Sequence, residues 1–117
     1  MRFALQDLDA ARHADLPPLI RCYHSQQAAE KALKATLLFD GLDVPRTHDL
    51  NTIHVLLMDE SLVQQTAQEL ERLTRWGTNE RYPGAIRDPS AAEADQAFLF
   101  ATSIVEAARA YIERASE

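Results

Sequence analysis

The sequence predicts an all-α chain, an up-and-down bundle of four to five helices. Three observations carry this. Gly and Pro are scarce, 3 and 5 of 117 residues, while the strong helix formers Ala, Leu, Glu, Gln and Arg are plentiful. Apolar residues recur at three- and four-residue spacing, and strand-like alternation survives nowhere. Between these runs stand residues that cap or break helices.

The first helix is expected over about residues 3–14, with Leu5, Leu8 and Ala11 in register and Pro17-Pro18 stopping it. The second is expected over about residues 17–40. Prolines are tolerated in its first turn, and Asp15 is a candidate cap. Its apolar residues, from Leu19 to Phe39, cover more than one face, so it should be substantially buried. Gln27, Lys31 and Lys34 form its polar stripe, and Glu30 can pair with Lys34. Gly41 suits its C-terminus.

A linker with Pro45 leads to a short third helix, capped by Asp49 and holding Ile53, Leu56 and Leu57. Ser61-Leu62-Val63-Gln64 has the form of a capping box and is expected to open a fourth helix reaching Trp76. Gly77 ends it. Residues 78–89 show no helical pattern; a loop of this length in a small domain is often functional. Ser90-Ala91-Ala92-Glu93 is another capping box, and it opens a last helix with Ala94, Phe98, Ala101, Val105, Ala108 and Ile112 in register.

At 117 residues the expectation is one domain, 1–117, with one hydrophobic core. Cys22 is the lone cysteine, which excludes an intrachain disulfide and reads as a small buried hydrophobe. An N-terminus that turns acidic by Asp7 argues against a signal peptide, and no apolar run is long enough for a membrane span. The expected location is cytoplasmic. The net charge of −6 argues against a protein that coats nucleic acid nonspecifically, since phosphate binding needs clustered Lys and Arg.

Three short motifs follow one another. Tyr23-His24-Ser25-Gln26-Gln27-Ala28-Ala29-Glu30-Lys31-Ala32-Leu33-Lys34-Ala35 lies on the second helix. Gly41, Pro45 and Thr47-His48-Asp49-Leu50 come next, then Arg81-Tyr82-Pro83 in the loop before the last helix. Together, in this order, they resemble the HEPN family (higher eukaryotes and prokaryotes nucleotide-binding). The resemblance implies a helical bundle, usually a homodimer, often partnered in prokaryotes by a minimal nucleotidyltransferase in toxin–antitoxin or defence pairs. Many such proteins are metal-independent ribonucleases that use an arginine and a following histidine with four to six residues between them. No histidine follows Arg81 or Arg87 here; the histidines are His13, His24, His48 and His54. The ribonuclease activity is therefore not carried over from the resemblance.

Each candidate has a functional and a structural reading. Lys31 and Lys34 either face a nucleotide phosphate or form a solvated stripe. His48 either works as an acid or base near phosphate or marks a helix start, with Asp49 capping and His48 bonding nearby backbone. Adjacent residues cannot readily form a base–orienter pair, so Asp49 is a poor orienter for His48. Arg81 either grips phosphate, with Tyr82 stacking on a base and Arg87 assisting, or the Tyr82-Pro83 pair pins the loop. Arg72 and Arg75 could extend a basic patch. Trp76 reads as a core or dimer anchor. Gln26 and Gln27 could fix the register of a helix pair. No cofactor is expected, and no spacing suggests a metal site.

Three functions remain open. The chain is a binding module for a nucleotide or a nucleotidyltransferase, a divergent ribonuclease using His48 and Arg81, or a structural dimer that scaffolds a partner.

Overall fold

The computed structural model describes residues 1–77 and 88–116. Its helices are α1 (Arg2–Arg12), α2 (Pro18–Phe39), α3 (Leu50–His54), α4 (Ala67–Arg75) and α5 (Ala91–Ala115), with one 3-10 turn at Glu60–Leu62. No strand forms among the described residues.

Helix α2 is central. It packs most extensively on α5 and next on α1. Small side chains make the close approach work: Ala4 and Ala11 of α1, Ala28, Ala29 and Ala32 of α2, and Ala94, Ala101 and Ala108 of α5 are all fully buried. Larger side chains, including Leu33, Leu37, Leu50, Ile53, Leu70 and Ile104, fill the remaining core. Cys22 is buried, as its apolar surroundings imply.

Specific pairs fix the helix directions. Asp7 of α1 reaches Lys31, while Ala11 reaches Arg21, so α1 runs against α2. Arg21 meets Asp95 at one end of α5, and Asp40 meets Tyr111 at the other, so α2 and α5 run parallel. Arg21 is a structural tie: its Nε donates to the Ala11 carbonyl at 2.9 Å and its Nη2 meets Asp95 at 2.9 Å.

Helix ends follow their local chemistry. Asp40, Gly41 and Leu42 close α2 in a Schellman arrangement, with Gly41 N–H bonding the Leu38 carbonyl and Leu42 N–H that of Leu37. Gly41 takes φ +74°, a conformation that costs glycine least. Ser90 and Glu93 form the expected capping box of α5. Asp49 caps α3, accepting from the Asn51 N–H at 3.0 Å.

Two expected boundaries and one expected burial differ. Asp15 does not cap α2; Pro17 occupies that position with no side-chain bond, and Pro18 opens the helix. The box expected at Ser61–Gln64 does not form. Ser61 lies in the 3-10 turn capped by Asp59, and α4 opens later, at a complete box of Thr66 and Glu69. A carboxylate at the third position suits the positive end of a helix better than the Gln64 amide. The later start also lets Leu62 and Val63 both be buried. Finally, α2 is less covered at its end than periodicity implies: Leu38 is 70% exposed.

Candidate functional site

The polar residues of α2 divide into two clusters, each built around a carboxylate. The first sits against α1. His24 Nδ1 lies 2.8 Å from Oδ1 of Asp7, and Lys31 Nζ lies 2.6 Å from its Oδ2. Asp7 is buried, and His24 and Lys31 of α2 are held at its rim.

The second cluster faces α3 and α4, and its centre is the buried Glu30. Oε1 accepts from Gln26 Nε2 at 2.9 Å and lies 2.9 Å from His48 Nδ1. Lys34 Nζ donates to Oε2 at 3.2 Å. Gln26 is fully buried and also donates to the His48 carbonyl at 3.3 Å. Gln27 Nε2 completes the chain, donating to Gln26 Oε1 at 2.7 Å. Burial raises the Glu30 pKa, but the hydrogen bonds from Gln26, His48 and Lys34 outweigh it and hold the carboxyl below its ordinary value. Glu30 is thus an ionised acceptor with both oxygens engaged.

His48 therefore departs from the structural expectation, in which it bonds nearby backbone. Its ring meets a carboxylate from another helix. An ionised carboxylate can only accept, so His48 Nδ1 carries the proton toward Glu30. That leaves Nε2 as an acceptor whenever the ring is neutral, on a side chain that is 65% exposed. The orienting carboxylate is Glu30, which is distant in sequence, and Asp49 is occupied as a helix cap.

Gly77 borders the same cluster. A Cβ placed on it would overlap the Oε1, Cδ and Cγ atoms of Gln26. The close approach thus requires glycine there, and it places the end of α4 directly over the second cluster. Thr74 supports the arrangement from the same turn, its hydroxyl accepting from the Leu50 N–H at 3.1 Å.

Of the sequence-predicted site residues, Lys34 and His48 share one carboxylate, while Lys31 belongs to the neighbouring cluster on Asp7. Arg81, Tyr82 and Arg87 lie outside the described residues. Arg75 pairs with Glu71 at 2.7 Å and Arg72 approaches Gln96 at 3.4 Å. Trp76 is partly buried against the core and lines a shallow groove between α4 and α5 with Arg72 and Phe100. Among the described residues, no group of three or more His, Cys, Asp or Glu side chains could hold a metal ion, and no helix is long and apolar enough to cross a membrane.

Sequence reasoning missed two parts of this site. Asp7 was not paired with His24 and Lys31, although the helical spacing of 24 and 31 puts them on one face. The centrality of Glu30 was read only through Lys34, because its partner His48 comes from a linker whose path periodicity does not define.

The family model of the HEPN domain matches residues 1–111. Among solved structures, the fold is similar to the crystal structure of an archaeal HEPN homologue. The two superpose with a TM-score of 0.75 and are 27% identical, over 95% of this chain and 93% of the other. A search of curated proteins finds no match.

Proposed function

The chain belongs to the HEPN family, and on that basis we propose that it is a nucleotide-binding module. In this reading it works in the cytoplasm as a homodimer, with a minimal nucleotidyltransferase as its protein partner in a prokaryotic toxin–antitoxin or defence pair. The supporting observation is the convergence of Lys34 and His48 on Glu30, beside Gly77, the last described residue before the segment with Arg81 and Tyr82. Lys34 spends one of its three ammonium donors on Glu30, so others remain for a phosphate. Lys31 lies one turn earlier on the same helix. In the proposed site Lys31, Lys34 and His48 contact phosphate, Arg81 and Arg87 add charge-assisted bonds, and Tyr82 stacks on the base. Calorimetric titration with nucleoside mono- and triphosphates tests this, together with pull-down by a neighbouring nucleotidyltransferase. Binding that is lost in Lys34→Ala and Arg81→Ala supports the reading; silence in both assays sinks it.

One observation favours a second reading, a divergent ribonuclease. The pairing of His48 Nδ1 with Glu30 has the geometry of an oriented acid or base, with Arg81 available to stabilise charge on the reacting phosphate. Incubation with structured and single-stranded RNA decides it. Cleavage that survives both His48→Ala and Arg81→Ala rules out these residues.

A further inference from the structure

Eleven large hydrophobic side chains stand exposed among the described residues, and seven of them fall between residues 38 and 58. Leu38 and Phe39 end α2, Leu42 and Val44 follow it, and Val55, Leu56 and Met58 follow α3. The Phe39 ring meets Tyr111 edge-on at 6.4 Å, and the Tyr111 hydroxyl donates to Asp40 at 2.9 Å. Just beyond Met58, the Glu60–Leu62 turn packs on α5, the helix that carries Tyr111. The linkers before and after α3 therefore border one surface. Its members are far from marginal: Leu38, Val55 and Met58 are 70%, 63% and 71% exposed. Apolar surface gathered in this way, and rimmed by polar groups, marks an interaction site more often than scattered exposed residues do.

The rim has a definite sign. Residues 35–66 hold five carboxylates, Asp40, Asp43, Asp49, Asp59 and Glu60, against the single arginine Arg46. This stretch accounts for −4 of the net charge of −6. A second copy would bring like charges together, and an anionic membrane would be repelled.

We propose that this region is a docking surface for a cationic amphipathic helix of a protein partner. The helix seats its apolar face on Leu38, Phe39, Leu42, Val55, Leu56 and Met58, and its lysines or arginines face Asp40, Asp43, Asp59 and Glu60. This is helix-in-groove recognition with charge complementarity at the rim. The surface is separate from the Glu30 cluster, so it stands whether or not nucleotide binds there.

The probe is a fluorescein-labelled helical peptide of leucines and lysines, about 18 residues long, enough for roughly five turns. Anisotropy should show saturable one-to-one binding that weakens with salt. Val55→Ser with Met58→Ser should weaken it at least tenfold, with circular dichroism unchanged because both sites are exposed. Asp43→Asn with Asp59→Asn should weaken it and flatten the salt dependence, whereas Asp9→Asn with Glu71→Gln, which removes equal charge on α1 and α4, should not. If the serine variants fail to fold, amide shifts of the unaltered protein decide instead, and they should move at residues 38–44 and 55–60. Four results overturn the proposal: equal binding by the serine variants, equal binding of a leucine–glutamate peptide, preferential binding to anionic vesicles, or a dimer of the free protein that the serine variants dissociate. The last would assign the surface to a second copy.

Discussion

His48 Nδ1 lies 2.9 Å from Oε1 of Glu30, though eighteen residues of chain separate them. The bond joins the linker before α3 to the middle of α2, and Gln26 and Lys34 engage the same carboxylate. Removing Glu30 should therefore be felt by three partners at once. Glu30→Ala is expected to cost about 2–3 kcal/mol, because it leaves the buried Gln26 amide only its longer bond to the His48 carbonyl. His48→Ala should cost less, since that ring is mostly exposed. Urea unfolding at neutral pH measures both.

The same carboxylate makes stability depend on acid. Burial favours the neutral form, but the bonds from Gln26, His48 and Lys34 prevail and lower the Glu30 pKa below its ordinary 4.5. A depressed carboxyl contributes stability that is fully present above the unfolded value and is lost as pH falls through the folded one. The urea midpoint should fall as pH drops below about 4.5. In Glu30→Gln this part of the loss should be absent, and an unchanged slope in that variant would remove Glu30 as its source.

Gly77→Ala tests the contact over the cluster. The added methyl collides with a Gln26 side chain that is fully buried and has little room to retreat. A cost of about 1–3 kcal/mol is expected, as for other overpacked interiors. Combining it with Gln26→Ala should cost less than the sum of the two single changes, because the collision disappears. Strict additivity in denaturant melts would mean that Gly77 and Gln26 do not touch.

Cys22 supplies a probe of opening. Burial pushes its thiol pKa up to about 11; Glu93 adds to the rise and Arg21 opposes it. The thiolate is the reactive form, so labelling by a disulfide reagent should be slow in the native protein and fast in urea. The logarithm of its native rate should rise in Gly77→Ala and Glu30→Ala in proportion to their loss of stability. Immediate labelling of the unaltered protein at neutral pH would contradict the burial.

Helices α1, α2 and α5 were legible because each carries a long apolar period, and α5 also carries Ser90 and Glu93 at capping-box spacing. The start of α4 was not, because Ser61 and Thr66 both begin plausible boxes within one turn and a half. The Glu69 carboxylate and the packing of Leu62 and Val63 choose between them. At the site, Glu30–Lys34 could be read from spacing, while Glu30–His48 and Gln26–Gly77 could not. Those contacts depend on where a linker and a helix end return in space, and local periodicity carries no such information. The uneven cover of α2 escaped for a similar reason: an apolar residue such as Leu38 reads the same whether or not a neighbour reaches it.

The parallel pairing of α2 with α5 bears on how the chain comes to be made. The alanine face of α2 is sealed by a helix that begins only at Ala91, more than fifty residues after α2 ends at Phe39. At ribosomal speeds of about 5–20 residues per second, that gap lasts roughly 3–10 seconds. Among the described residues, α1 is the longest helix available to cover α2 through that interval. The nascent chain therefore has an early hairpin of α1 and α2 whose second flank waits for the last helix.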